Sequence, residues 1–228
     1  MSVTRKIARK LGALFYRPRP VVFEEQRLQP ISRLFGFDRG TPIDRHYIES
    51  FLREHSSHIT GDVLEVADDH YTRKFGHDTV PHILHVDASD SRATIVGDLS
   101  RPETLPEGIA QCFICTQTFN FIYDVREAVR GAARLLREGG VLLATVSGLA
   151  EISRYDMDRW GDYWRFTPLS AQRLFEEQFA VTVESYGNVF VAKAFLDGLA
   201  VEDLPDPSVL GSHDEDYPIT IGIYARKR

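Results

Sequence analysis

Residues 125–146 constrain the fold more than any other stretch of this chain. Val125 to Arg137 reads as a helix with Val125, Ala128, Val129, Ala132, Leu135 and Leu136 on one face, the spacing of a helix that buries one side. Gly139-Gly140 is expected to terminate it by supplying the backbone freedom of a C-cap. Val141 to Val146 is then almost wholly apolar, the pattern of a strand buried on both faces of a parallel sheet. A one-faced helix leading straight into such a strand is half of a βαβ unit, and it predicts helices on both faces of the sheet.

The preceding chain repeats the alternation. Val63 to Val66, His82 to Asp87, Ala93 to Val96 and Cys112 to Thr116 read as four strands, and Asp44 to about His58 as a helix with Ile48, Phe51 and Leu52 inward. Ser170 to Phe179 is expected to be a helix burying Leu174 and Phe175, followed by strands over Val181–Tyr186 and Ile219–Tyr224. Asp203 to Asp216, rich in Pro, Asp and Ser, reads as a long surface loop. The expected fold class is α/β: a Rossmann-like, doubly wound sheet, mostly parallel, with an antiparallel final strand pair. Residues 1–40 are expected to form an N-terminal extension, and residues 41–228 the α/β domain.

Within the extension, residues 3–16 pattern as a short amphipathic helix. Ile7, Leu11, Leu14 and Phe15 lie on one side; Arg5, Lys6, Arg9 and Lys10 break any signal-peptide core. Such a helix either packs on the domain or provides peripheral membrane or protein contact through residues 1–20, since a basic face beside Leu and Phe suits anionic lipid. No apolar run is long enough to cross a bilayer. The two cysteines, Cys112 and Cys115, point to opposite faces of one strand and lack a second pair to complete a zinc site. They read as buried free thiols, which implies a reducing, cytoplasmic setting; peripheral attachment at the inner membrane surface is the variant the basic helix allows. The formal net charge of −6 argues against general nucleic-acid binding, which needs a basic surface.

In an open parallel sheet, ligands bind beyond the carboxyl ends of the strands, where strand order reverses. Those ends read Glu65-Val66-Ala67-Asp68-Asp69-His70-Tyr71, then Asp87, then Gly97-Asp98-Leu99, then Thr116-Gln117-Thr118-Phe119. Over roughly residues 60–190 this order resembles the class I S-adenosylmethionine-dependent methyltransferases. Val63-Leu64-Glu65-Val66 is similar to the family's first strand, which ends in an acid before a glycine-rich loop. Asp87, 22 residues after Glu65, matches the acid that accepts the ribose hydroxyls, and a carboxylate suits a diol because it only accepts. Asp98-Leu99 resembles the pair that meets adenine. Leu135 to Leu143 resembles the helix–Pro-Gly-Gly–strand segment with Glu138 in place of proline, and Asp162 to Pro168 a segment before the penultimate helix. The resemblance implies S-adenosylmethionine as cofactor, with Glu65, Ala67, Asp68, Asp69, Asp87, Asp98, Leu99, Thr116 and Gln117 around it. Taken singly, Asp87 reads equally as a helix cap and Asp98 as a turn residue.

The first loop departs from the family pattern. Ala67, Asp69 and Tyr71 stand where glycines alternate. Asp69 can still visit the left-handed region at some cost, whereas Tyr71 brings bulk unless its ring turns away to pack under the sheet edge. Asp68 or Asp69 can receive the ammonium of the methionine moiety. The same loop disfavours NAD, whose pyrophosphate needs Gly-x-Gly-x-x-Gly. Where many relatives carry a catalytic histidine, this chain has Asn120-Phe121. His46, His70, Asp156 and Asp158 are the substitute candidates for a base, and positioning alone can also assist transfer. His82 and His85, three apart in a strand, face opposite ways, so no metal site is expected.

Tyr155, Tyr163, Trp164 and Arg165 can line an acceptor pocket, with rings on sugar faces and acids and Arg bonding hydroxyls. Trp164 and Phe166 read equally as packing of a lid onto the core. Gly40 to Arg45 together with the Tyr-Trp-Arg-Phe-Thr segment is similar to methyltransferase domains that accompany bacterial glycosyltransferases. That similarity implies O-methylation of a sugar or glycan in polysaccharide biosynthesis, with a small-molecule or glycan substrate. The alternative is a non-catalytic member of the fold that serves as a binding or scaffold partner in glycan assembly.

Overall fold

The computed structural model describes residues 27–228. The amphipathic pattern at residues 3–16 lies outside the described residues. Helix α1 (Ile43–Glu54) buries the expected Ile48, Phe51 and Leu52, and Ile43 and Tyr47 besides. Seven strands follow: β1 (Gly61–Val66), β2 (Thr79–His85), β3 (Ile95–Val96), β4 (Ala110–Thr116), β5 (Leu136–Ser147), β6 (Phe179–Tyr186) and β7 (Thr220–Lys227). The other helices are α2 (His70–Phe75), α3 (Val125–Leu135), α4 (Arg154–Met157), α5 (Pro168–Phe175) and α6 (Val189–Leu196).

The strands form one sheet in the order β3-β2-β1-β4-β5-β7-β6. Pairing is parallel from β3 to β5, and β7 runs antiparallel to both β5 and β6. The expected closing antiparallel pair is therefore present. Strand alternation divides the core. Phe113 and Cys115 of β4 and Leu142, Ala144 and Val146 of β5 face α3 and α5. Cys112, Ile114, Val141 and Leu143 face α1 and α6. Both thiols are buried, and burial pushes each up to about 12, which leaves them inert at neutral pH.

Four local expectations are corrected. Helix α3 ends at Leu135, because Leu136 is already extended and pairs with Ala110. Gly139-Gly140 is thus no C-cap. It lies in the irregular start of β5, where Gly139 has φ +72° and a side chain on Gly140 would meet the Arg137 carbonyl. Helix α5 starts and stops earlier than expected: Thr167 and Ser170 form a capping box ahead of Pro168, and Phe179 opens β6. Helix α6 was not expected, and the loop after it contains two short 3-10 turns that bury Leu204 and Leu210.

Residues 31–40, read as an extension, are held against α6 and the chain beyond it. The Ile31 and Ser32 amides donate to the Asp197 carbonyl, and Arg39 makes a two-bond ion pair with Asp203. Among the described residues no helix is long and apolar enough to cross a membrane.

Candidate functional site

The site is built outward from the end of β1. Glu65 is only 3% exposed, and its carboxylate points back beneath the following loop. Oε1 accepts the Tyr71 backbone N–H at 3.0 Å, and Oε2 accepts the Thr72 N–H and the Thr72 hydroxyl, each at 2.8 Å. Asp69, the residue preceding α2, makes no side-chain cap. Glu65 therefore satisfies two of the free amides at the start of α2 from a strand six residues upstream. Burial pushes its carboxyl up to about 7, against the pull of those donors.

Ala67 then takes φ +71°, the left-handed conformation for which the family uses glycine, at roughly 1–2 kcal/mol for a residue with a Cβ. Asp69, at the second glycine position, has φ −119° and needs no such freedom. Tyr71, at the third, lies inside α2. Its ring packs beside Phe75 and joins the core on the α1 side of the sheet. One of the three positions thus demands left-handed backbone, and the bulky residue turns away.

Beyond the ends of β1, β2, β3 and β4 opens a groove of about 640 Å³. Its floor and walls include Ala67, His85, Gly97, Asp98, Leu99, Thr116 and Gln117; Tyr123, Arg159, Trp160 and Tyr163 stand across it. That size suits a nucleoside-bearing ligand. Asp98 Oδ1 accepts both the N–H and the hydroxyl of Ser100, which sets the turn and leaves Oδ2 toward solvent near Arg101. Leu99 is pressed into place by α3. A side chain at Gly131 would come within 2.3 Å of the Leu99 carbonyl oxygen.

A second cavity of about 470 Å³ adjoins the groove, walled by Leu34, Phe35, Phe37, Phe121, Tyr155 and Phe195, with Asp44 and Glu151 among its polar groups. Burial pushes Asp44 up to about 6. It raises Glu151 as well, whose Oε1 is buried with no hydrogen-bond partner among the described residues. Arg165 also borders this cavity, yet its five N–H groups are occupied by Asp162, Trp164, Glu151 and Ala150 oxygens. Asp162, 1% exposed in its side chain, also accepts the Ser153 N–H. This clasp holds the chain from Ala150 to Ser153 as one wall.

Gln117, Phe121 and Asp156 line both cavities. Asp156 Oδ2 accepts the Ser153 hydroxyl at 2.5 Å, and Oδ1 is left without a partner among the described side chains. Behind Gln117 lies a half-buried polar set: Asn120 Nδ2 donates to Gln117 Oε1 and Ser147 Oγ, Ser147 Oγ donates to Gln117 Oε1, and Asn120 Oδ1 accepts the Ser147 N–H.

Of the residues expected around the cofactor, Ala67, Asp98, Leu99, Thr116 and Gln117 line the groove. Glu65, Asp68, Asp69 and Asp87 do not. Glu65 caps α2, Asp68 accepts the His70 N–H, Asp69 pairs with Arg73, and Asp87 accepts the Ser89 N–H beside His85 at the rim. Of the candidate bases, only Asp156 borders either cavity; His46, His70 and Asp158 line neither. Tyr155 and Arg165 border the second cavity and Tyr163 the first. Trp164 borders neither: its Nε1 donates to the Ile122 carbonyl and its ring stacks on Tyr123, which is the packing role. His82 pairs with Asp62 and His85 with Asp87. The sequence reading missed Arg33 to Phe37, His85, Phe121, Ser147 and Trp160. The aromatic-Gly-aromatic run Phe35-Gly36-Phe37 was a usable signal, passed over because it lay before the expected domain boundary.

Residues 58–144 match the family model described as a methyltransferase domain. No match is found among curated proteins. Among solved structures, the fold is similar to that of the cyclase SpnF, with a TM-score of 0.54 and 15% identity over 83% of each chain. It is similar to the N-methyltransferase NodS from Bradyrhizobium japonicum WM9 in complex with S-adenosyl-L-homocysteine, with a TM-score of 0.51 and 11% identity over 87% of this chain and 95% of that one. Phosphoethanolamine N-methyltransferase 2 of Haemonchus contortus, in complex with S-adenosyl-L-methionine, gives 0.52 and 13% identity over 80% of this chain and 52% of that one. At these identities the structural likenesses carry the fold alone, and the domain match spans residues 58–144.

Proposed function

We propose that this chain is a class I S-adenosylmethionine-dependent methyltransferase that binds that cofactor in the 640 Å³ groove and methylates a hydroxyl of a sugar or glycan held in the 470 Å³ cavity. The observation that carries the reading is the meeting of the two cavities at Gln117, Phe121 and Asp156. Methyl transfer needs donor and acceptor in line and in contact, and this junction is where two such ligands would touch.

The groove fits the cofactor in three respects. The left-handed backbone at Ala67 lets the chain pass close to a ligand. Asp98 offers an acceptor to an adenine amino group, and Leu99 a surface for its ring. When bound, S-adenosylmethionine supplies a methyl group on a positively charged sulfur. The remaining work falls to the chain. Asp156, which lines both cavities and whose Oδ2 is held by Ser153, takes the hydroxyl proton on its unpartnered Oδ1. Phe121 excludes water from the junction, and the Arg165–Asp162 clasp keeps the acceptor wall in place. The glycan reading is supported by the make-up of the second cavity. Phe35, Phe37 and Tyr155 offer faces for the apolar side of a sugar ring, and Asp44 and Glu151 accept from hydroxyls.

The test is transfer of a labelled methyl group from S-adenosylmethionine to a panel of methyl glycosides and glycan fragments. Transfer to at least one is expected, reduced by on the order of a hundredfold or more in Asp156→Asn. Cofactor binding with transfer only to amines would sink the hydroxyl reading.

A further inference from the structure

The polar set behind the junction assigns a direction to one side chain. The Ser147 backbone N–H can only donate, and it donates to Asn120 Oδ1 at 3.2 Å. That bond fixes which end of the Asn120 amide is oxygen, so Nδ2 must be the atom 3.0 Å from Gln117 and 2.9 Å from Ser147 Oγ. A donor facing Gln117 in turn fixes the Gln117 amide with its oxygen inward, and Ser147 Oγ donates to the same oxygen at 2.8 Å. Both lone pairs of Gln117 Oε1 are then used. Its Nε2, with two N–H groups, has no acceptor among the described residues.

The backbone holds this arrangement under strain. Gln117 has φ +50°, a left-handed conformation disfavoured for a residue with a Cβ, and its N–H is tied to the Thr145 carbonyl at 2.8 Å. Asn120, at its centre, is 1% exposed, while Gln117 and Ser147 are half-buried. Strain and a saturated network both converge on a side chain whose free end is a pair of donors, at a residue that lines both cavities.

We infer that the Gln117 side-chain amide is the donor that orients the acceptor hydroxyl, opposite Asp156, with Asn120 and Ser147 as positioning residues that aim it. One N–H to the hydroxyl oxygen occupies one lone pair and turns the other toward the incoming methyl; as that oxygen–carbon bond forms, the carbon–sulfur bond of the donor would break with its electron pair left on sulfur, and Asp156 Oδ1 receives the proton. No bond in this step involves the Gln117 amide covalently. The inference rests on the hydroxyl-methylation reading above and names the group that selects an oxygen acceptor: a reacting amine has a single lone pair, needed for the attack, and leaves none for an N–H donor to meet.

The test follows the Gln117 side-chain amide pair by nitrogen–proton NMR, assigned by its loss in Gln117→Glu, while S-adenosylhomocysteine and then a panel of methyl glycosides are added. Gln117→Glu keeps both acceptor bonds to Asn120 and Ser147 while it replaces the two donors by a charged acceptor; Gln117→Met, which removes donors and acceptor without charge, is the companion variant. The expected result is a shift on adding a glycoside and little on adding S-adenosylhomocysteine alone. Gln117→Glu should leave S-adenosylhomocysteine affinity within about twofold and raise the glycoside KM roughly three- to tenfold, the worth of one neutral hydrogen bond. Asn120→Asp, which removes the donor that aims the amide, should raise KM in the same direction. A shift on S-adenosylhomocysteine alone, with weaker binding in Gln117→Glu, overturns the inference and gives the amide to the cofactor. A glycoside that is methylated while the amide pair stays still also overturns it. S-adenosylhomocysteine that moves groove residues such as Leu99 while no glycoside is bound removes the hydroxyl acceptor and keeps the cofactor assignment. Failure of S-adenosylhomocysteine to bind at all overturns the underlying reading as well.

Discussion

A single oxygen of Glu65 accepts both the backbone N–H and the hydroxyl of Thr72, each at 2.8 Å. The residue one short of the end of β1 thus starts the next helix from beneath, and the loop between them is shaped by that link. The acid is buried and its carboxyl is pushed up to about 7 from 4.5. Because the folded value is the higher one, its contribution to stability is full below about pH 4.5 and is lost as pH rises through about 7. The loss is on the order of 3 kcal/mol. Glu65→Gln should flatten this part of the profile. Urea unfolding of both proteins at about pH 5 and about pH 8 measures it, and equal slopes in the two would contradict the assignment.

Ala67 carries the strain that a glycine would remove. Ala67→Gly should stabilise the protein by up to about 1 kcal/mol, the relief of left-handed strain being partly offset by added freedom in the unfolded chain. Cofactor affinity should hold or improve. Denaturant midpoints with an unchanged m-value would show the gain; a loss of stability would mean that Ala67 is not held at φ +71°.

Gly131 lets α3 lie against the carbonyl of Leu99. Gly131→Ala puts a methyl group where that oxygen sits, so the Asp98–Leu99 turn must move. A cost of about 1–3 kcal/mol is expected from overpacking, together with weaker cofactor binding. Thermal unfolding and a titration on the same variant check both halves, and intact binding would dissociate the turn from the site.

Asp162→Ala strips Arg165 of its two-bond partner and leaves the Ser153 N–H without an acceptor. Destabilisation of about 2 kcal/mol is expected, from the loss of hydrogen bonds to charged groups. The 150–153 wall should loosen, seen as faster amide exchange there while β5 stays protected. Unchanged exchange would remove the clasp from the account.

The sheet was legible in the sequence wherever burial leaves a periodic trace. Val141 to Val146 is buried on both faces and reads so, and α1 and α3 show one apolar stripe each. Helix α6, Val-Phe-Val-Ala-Lys-Ala-Phe-Leu, is apolar nearly all round and carries no stripe to find. Helix α2 is six residues long, too short for a period, and its cap is supplied by Glu65 rather than by an adjacent side chain. Among the site residues, those at strand ends fell where topology puts them. The sequence reading gave Glu65 to the cofactor because spacing cannot tell a carboxylate that faces the groove from one that turns beneath the loop. Asn120 was noted as a missing histidine. Its role in aiming Gln117 depends on Ser147, 27 residues away, and no local pattern links them.

The groove at the ends of β1 to β4 is proposed to hold S-adenosylmethionine, and calorimetric titration of S-adenosylhomocysteine into the full chain, with Asp98→Ala and Asp87→Ala in parallel, checks this. One site per chain is expected, weakened about tenfold by Asp98→Ala and less by Asp87→Ala, whose carboxylate lies at the rim. Absence of binding at millimolar ligand, or binding indifferent to Asp98→Ala, would contradict it.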